Sequence, residues 1–548
     1  MKYFNKISEN RKIIIILIVL IIITLVPRIV DINTPYETWD EVTTYSIGLN
    51  LWYNIIQGDF SPETWKTYST DYSGSLHPPF ARYAYGIVNG VYIFSQTGLD
   101  LLSSGYDNAV IVMYNMKSMI PGRLFSAVLA VATSIIIFFT ARRFFGLKIA
   151  VFAAITFALL PVSLAQTRLA ALDVLLVFLY TAAVYTFIKG LESRRHFILS
   201  LILTGLCIAT KYNSVTLFVL LPIIYLISDK KNIQKKYLLL IPITSIIILF
   251  LIWPRFWPDP VGGALTNING WLSMTSETGV VPEYFLGGLE HPIYYEPTYV
   301  FSTMPLLLTI FFIFGIAASI KKNTFGHKST LLWFVIPLFL YSVFTFRMNG
   351  PRYVFMIYPA ISILISVGMF WFMDWVRDIK YGNLLYKAIP ILTLIYMAVT
   401  VISIHPFYLD YYSESVGGPE NVYNNKLFAI GQWGDGIGTA AYWLNENADA
   451  DSTVQFFVMP RHVIPPIRTD IEDLTPFVPK YLSETEENEN WVMTDVKPEA
   501  KYIVENTYFR FYLNTTFHEL ISNDYTLIHT VKAEGAPLVW IYERSNRT

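Results

Sequence analysis

A single cysteine in 548 residues, Cys207 within an apolar stretch, rules out an intramolecular disulfide and leaves the redox compartment unread. Charge is also scarce. Asp, Glu, Lys and Arg supply 15% of the chain against 54% hydrophobic and 16% aromatic residues, too apolar a balance for a soluble globular protein. No fixed-period repeat or low-complexity tract occurs, apart from an acidic loop, Glu484 to Glu489, that reads as solvated. His, Cys, Asp and Glu do not recur at a metal-ligand spacing, and no cofactor is expected. Asp40, Glu41 and His77 are ligand types for a divalent ion, but nothing in their spacing builds a site.

What the chain does contain is a series of apolar runs of about 17–25 residues, the length that spans a bilayer. They fall near 13–30, 121–141, 148–166, 170–190, 197–212, 214–228, 237–253, 299–319, 330–346, 352–373 and 385–403. The first run is expected to be retained rather than cleaved, since it is long and lacks a small-residue cleavage site. Lys2, Lys6, Arg11 and Lys12 precede it and hold the amino terminus in the cytoplasm. With eleven crossings, every cytoplasmic turn then carries several Lys or Arg, 20 of the chain's 40 in all. The pattern predicts a multi-pass protein of the cell membrane, with its carboxyl-terminal part outside.

Two outer loops, 31–120 and 254–298, are rich in Trp, Tyr and Pro, as suits the headgroup region. Phe80 to Thr97 is interrupted by Arg82, Tyr83, Tyr85 and Asn89 and reads as an interfacial helix. The cluster Trp253, Phe256, Trp257 and Trp271 reads first as an interface belt and second as a cover for a site. From His405 onward the chain has 10 basic and 21 acidic residues, against 30 and 20 before it. We therefore divide it into a membrane domain, 1–404, and an extracytoplasmic domain, 405–548. In the latter, Ile437 to Asn445 reads as a helix capped by Asp435, and 453–458, 526–532 and 538–543 read as strands. The expected fold is an α-helical polytopic membrane protein of about eleven spans with a small C-terminal α/β domain. Asn514 and Asn546 head Asn-x-Thr triplets, which arise often by chance.

The polar residues are unevenly placed. Asp40, Glu41, His77, Arg82, Arg123, Arg168, Asp173, Lys211, Arg347 and Arg352 all map to outer loops or outer ends of spans, none to a bilayer centre. That distribution suits a reaction at the outer interface on a lipid-borne reactant with an anionic headgroup, which Lys or Arg neutralises while a carboxylate acts as base or binds hydroxyls.

With these residues in place the chain resembles the GT-C glycosyltransferases of the protein O-mannosyltransferase and aminoarabinose-transferase superfamily. The resemblance is carried by Asp40-Glu41, His77-Pro78-Pro79-Phe80 with Arg82, Arg123-Leu124-Phe125-Ser126, Arg168 with Asp173, Gly205-Leu206 with Lys211-Tyr212-Asn213, and Arg352-Tyr353 with Pro359. His405-Pro406-Phe407-Tyr408, Gly417-Gly418 and Gly431 to Gly436 are similar to the segment after the last span in prokaryotic members.

The resemblance implies transfer of one sugar from a polyprenyl-monophosphate carrier to a hydroxyl on a protein, lipid or glycan acceptor, with inversion. Membrane lipid is a further partner, and no nucleic acid is expected. Asp40 would be the catalytic carboxylate, with Lys211, Arg352 and Arg82 binding the donor phosphate and Glu41, His77, Arg168 and Asp173 in support. Where aminoarabinose transferases have an Arg three positions past the first-loop Asp, this chain has Thr43. Leu76 and His77 replace their acidic-basic pair before Pro-Pro, so the mannosyltransferase-like form is closer and a neutral hexose such as mannose is favoured.

Plainer readings stand beside these. His77 also suits a cap on a rigid Pro-Pro turn, and Lys211 an end anchor. Arg123, Arg168 and Asp173 are equally well read as span-end ion pairs, Arg168 with Asp173 among them. Trp433-Gly434-Asp435-Gly436 lacks the second Trp and the Tyr of the oligosaccharyltransferase Trp-Trp-Asp-Tyr-Gly motif and reads as a turn and cap. A transporter or lipid flippase is the rival function. It calls for interrupted spans and ionisable groups near mid-membrane, and neither is expected here. A ligand sensor would not need so many spans.

Overall fold

The computed structural model describes residues 2–61, 64–65, 77–98, 100, 119–229, 232–275, 283–344, 347, 350–457, 464–475, 496–508, 510 and 515–545. The Glu484–Glu489 loop and both Asn-x-Thr asparagines lie outside them, as does the side chain of Trp271.

Helices occupy all eleven apolar windows. Seven are long and apolar enough to cross a membrane: Asn10–Ile29, Met119–Phe145, Leu172–Gly190, Lys235–Ile252, Phe325–Phe344, Gly350–Val376 and Gly382–Ile404. An eighth is the pair Leu147–Leu159 and Pro161–Thr167, bent by 61°. Arg194–Ile208, Leu217–Leu226 and Leu306–Lys322 have only 15, 10 and 17 residues. Among the described residues the count is thus seven or eight rather than eleven. The shortfall has local causes: Lys211 is extended between two of the short helices, and Pro305 is extended at the start of the third. The protein is a multi-pass membrane protein.

The bent pair corrects the expectation of uninterrupted spans. Pro161 has no N–H to continue the ladder, and Leu160 before it is extended (φ −62°, ψ 129°). Arg28, buried near the end of the first span, closes the break. Its Nη1 donates to the Ala158 carbonyl (3.0 Å) and its Nε to Thr167 Oγ1 (2.7 Å), so the freed polar groups have partners rather than a channel.

The first loop, expected to hold interfacial helices, contains the helix Phe80–Thr97 and a second, Trp39–Gln57, that the sequence did not place. Trp39–Gln57 starts from a capping box in which Thr38 N–H donates to Glu41 Oε2 (2.9 Å), and it ends at Gly58 in the left-handed conformation. It packs on Phe80–Thr97 through Gly48 and Gly86. A Cβ on Gly48 would lie 2.0 Å from the Arg82 carbonyl oxygen, so only glycine lets these backbones meet.

After Ile404 come short helical turns and then a five-stranded sheet: β1 Ser452–Phe457, β2 Ile471–Asp473, β3 Tyr502–Asn506, β4 Tyr525–Ala533 and β5 Ala536–Arg544, in the order β2-β1-β3-β5-β4. β1 is parallel to β2 and β3, while β5 runs antiparallel to β3 and β4. Ile437–Asn447 covers one face, burying Ala440, Ala441 and Leu444 against Val454, Val504 and Ile541. Thr515–Asp524 covers the other with Phe517 and Ile521 on Phe457 and Ile503. Three of the strands match the alternation read from the chain. β2 is too short, and β3 too completely buried, for alternation to reveal them. Asp435 is not the helix cap: Gly436, at φ +86°, holds that position.

Candidate active site

Five separated sequence motifs converge at one end of the helical bundle. Asp40 enters from the first turn of Trp39–Gln57 and Asp173 from the first turn of Leu172–Gly190, both at helix N-termini where a negative charge is favoured. Lys211 sits on the extended residue after Arg194–Ile208, and Arg352 on the helical turn Gly350–Ile357. Asn213 Nδ2 donates to the Tyr353 carbonyl (2.7 Å), tying Lys211-Tyr212-Asn213 to Arg352-Tyr353. Phe80 N–H donates to the Ala209 carbonyl (2.9 Å), which fixes the His77-Pro78-Pro79 turn beside them.

The charged side chains form one line. Lys211 Nζ donates to Asp173 Oδ1 (2.7 Å), Arg352 Nε donates to Asp173 Oδ2 (2.8 Å), and Arg352 Nη2 donates to Asp40 Oδ2. Lys211 also lies 4.6 Å from the Tyr353 ring centroid. Side-chain exposure rises along the line, from 1% at Lys211 and Asp173 to 8% at Arg352 and 33% at Asp40. The two carboxylates and two cations balance, so the buried charges are paired, and the line opens to solvent at a carboxylate.

Arg82 is buried and lines a cleft with His77, Pro79, Trp253 and Arg255, walled on another side by Ile47 and Trp65. His77 belongs to both features. Burial, together with the positive charges of Lys211, Arg82 and Arg352, holds its imidazole well below the ordinary histidine range and therefore neutral. Among the described residues its buried Nδ1 has no hydrogen-bond partner. The narrow cleft thus joins apolar walls to the guanidinium groups of Arg82 and Arg255 beside His77.

The remaining expected residues lie elsewhere. Glu41 points away from Asp40 into a saturated knot: its oxygens accept from Arg123 Nε (2.7 Å), Arg123 Nη2 (2.6 Å) and the Ala170 N–H (2.9 Å). Arg168 does not pair with Asp173. It donates to the carbonyls of Pro27 (2.7 Å), Asp31 (2.9 Å) and Thr34 (2.9 Å). Arg347 binds the Ser342 and His291 carbonyls, and Thr43 donates to the carbonyl of Asp40 itself. Among the described residues no group of three or more His, Cys, Asp or Glu side chains is placed to hold a metal ion.

Two residues here were not singled out from the sequence. Arg255 was hidden in an aromatic run read as an interface belt, and its signal was a lone cation among Trp253, Phe256 and Trp257. Trp433 lies in the segment read as a turn, yet its ring covers the Arg352 guanidinium at 4.2 Å. No local pattern announces that contact.

Residues 109–253 match the family model of dolichyl-phosphate-mannose-protein mannosyltransferase. No curated protein sequence matches the chain. Among solved structures, the oligosaccharyltransferase of Archaeoglobus fulgidus tethered to an acceptor peptide shares 12% identity over 97% of this chain and 74% of its own, with a TM-score of 0.50. ArnT from Cupriavidus metallidurans in the apo state shares 13% identity over 97% and 98%, with a TM-score of 0.48. The 109–253 segment is thus similar to the mannosyltransferase family model, and the chain has the fold of that oligosaccharyltransferase over nearly its whole length.

Proposed function

We propose that this protein transfers a single sugar, a neutral hexose such as mannose, from a polyprenyl-monophosphate carrier to an acceptor hydroxyl on protein, lipid or glycan at the extracytoplasmic face. The observation that carries this reading is the line Lys211–Asp173–Arg352–Asp40, which is buried at its cationic end and open at a carboxylate. The family name of the 109–253 segment supports the donor class. In this reading the membrane domain, 1–404, carries the site, and the extracytoplasmic domain, 405–548, faces the acceptor.

The acceptor hydroxyl gives its proton to Asp40, an acceptor-only carboxylate within reach of solvent, as its oxygen bonds to the anomeric carbon. The bond from that carbon to the phosphate oxygen breaks on the opposite face and its electron pair leaves with the polyprenyl phosphate, so the configuration inverts. Arg352, Lys211 and Arg82 offset the charge that grows on the leaving phosphate, and burial strengthens that attraction. Asp173 holds Lys211 and Arg352 in place for this task. His77, kept neutral, adds no competing charge. Activity independent of divalent ions is expected, and full loss on chelation with recovery on adding a divalent ion would overturn that part.

The test is to incubate purified full-length protein in lipid nanodiscs with a panel of labelled polyprenyl-phosphate sugars and follow the label. Transfer that Asp40→Asn abolishes, while donor still binds, is the expected result. Wild-type protein that moves no label from any carrier, or an Asp40→Asn variant as active as wild type, would sink the proposal.

A further inference from the structure

The segment Gly431–Gly436 reaches from the sheet domain into the candidate site, and its backbone is held in an unfavourable shape. Gly431, Gly434 and Gly436 all have positive φ, at +70°, +84° and +86°. Trp433 between them is also left-handed, at φ +69°, where a bulky side chain is rare and persists only when its surroundings hold it. Those surroundings are visible. Gly431 N–H donates to Asp410 Oδ1 (2.7 Å), and Asn506 Nδ2 donates to the carbonyls of Asp435 (3.3 Å) and Leu538 (3.3 Å). The segment is therefore pinned on both sides of the tryptophan, at Gly431 to Asp410 and at Asp435 to Asn506 of β3.

Its two side chains at the tip grip one element. The Trp433 ring covers the Arg352 guanidinium at 4.2 Å. Gln432 Nε2 donates to Glu283 Oε2 (2.6 Å), whose other oxygen accepts from the Tyr295 hydroxyl, and that hydroxyl accepts the Gly350 N–H (3.0 Å). One path from the segment thus ends on the Arg352 side chain and the other on the backbone two residues before it. Both act on Gly350–Ile357, the turn that presents Arg352 to Asp40 and Asp173.

We propose that Trp433 is a positioning residue of the active site: through a cation–π contact it fixes the Arg352 guanidinium between Asp40 and Asp173, so that the sheet domain completes a site whose charged groups all belong to the membrane helices and their loops. This deepens the transferase reading above and rests on it for its kinetic consequence only. A guanidinium clamped by an aromatic face keeps both carboxylate bonds without filling the site with another charge. Without the ring, Arg352 gains rotamers, and the groups that must meet the leaving phosphate are less often aligned.

The experiment compares full-length wild type, Trp433→Leu, Trp433→Phe, Arg352→Lys and the double variant Trp433→Leu/Arg352→Lys in nanodiscs. Amide hydrogen exchange over Gly350–Ile357 is read first, because it needs no substrate. Trp433→Leu is expected to raise exchange there at least tenfold, while β3 and β5 stay protected and the melting temperature stays within a few degrees. Trp433→Phe restores the protection. In transfer assays Trp433→Leu lowers kcat at least tenfold with KM for the polyprenyl-phosphate sugar within threefold, and in the Arg352→Lys background the same Trp433→Leu change costs little more. Unchanged exchange over Gly350–Ile357, a loss that Phe does not rescue, or fully additive losses would overturn the clamp. Wild-type protein without transfer on any carrier would defeat the transferase reading instead, and the exchange result would still decide the role of Trp433.

Discussion

Asp40 and Glu41 are neighbours in the chain and opposites in the structure. One helical step turns their side chains about 100° apart. Glu41 meets Arg123 in a knot where all five guanidinium donors are used: two on Glu41 and three on the carbonyls of Ile32, Pro35 and Tyr36. Asp40 meets Arg352 in a line that stays open at its carboxylate end. Saturation separates the two. An arginine whose donors are spent on backbone carbonyls is a brace for the loop it binds, as Arg28 and Arg168 also are. An arginine held between two carboxylates and an aromatic face, at the edge of solvent, is placed to meet a charged ligand.

The sharpest way to test this contrast is to remove the charge from each acid in turn. Asp40→Asn is expected to lower sugar transfer by about 10²–10⁴-fold with a melting temperature near wild type. Glu41→Gln is expected to cost about 3–5 kcal/mol of stability by stranding a buried Arg123 charge, seen as loss of folded protein in a thermal melt. Equal effects of the two on folding would erase the distinction.

Asp173 belongs to both kinds at once, since it supports the open line while being fully buried itself. Asp173→Asn should therefore lose stability by about 3 kcal/mol and also weaken donor binding, measured by unfolding and by titration with a polyprenyl phosphate. Arg168→Met removes the side-chain donor from the carbonyls of Pro27, Asp31 and Thr34, at about 1–3 kcal/mol. Its transfer rate per folded molecule is expected to stay close to wild type.

The smallest effect concerns pH. The folded protein keeps His77 neutral, whereas an unfolded chain takes up that proton below about pH 6.5. Stability should thus fall as pH drops below that value, by at most about 1.4 kcal/mol per pH unit from this one group. His77→Gln should flatten that part of the acid limb, and an unchanged limb would show that His77 is not held neutral.

Much of this was legible in the residues. Apolar length located every helical window, because a bilayer demands it. The motif residues Asp40, Lys211 and Arg352 stood out because charges are scarce in such a chain, and the structure brings all three together. The count of full spans was not legible. Whether Lys211 interrupts a helix or caps it depends on Asp173, 38 residues earlier. Nor was the division of labour between Asp40 and Glu41, since either would serve as a carboxylate at the membrane surface.

Local chemistry settles what each stretch is made to do: apolar runs become helices, alternating runs become strands, and rare charges mark the places where burial must be compensated. Which charges compensate one another was decided only when the chain packed, because partners such as Asp173 and Arg352 are separated by 179 residues and meet through the docking of whole helices. The same holds for Trp433, whose hold on Arg352 arises from a turn that only the assembled sheet domain can keep in its strained shape.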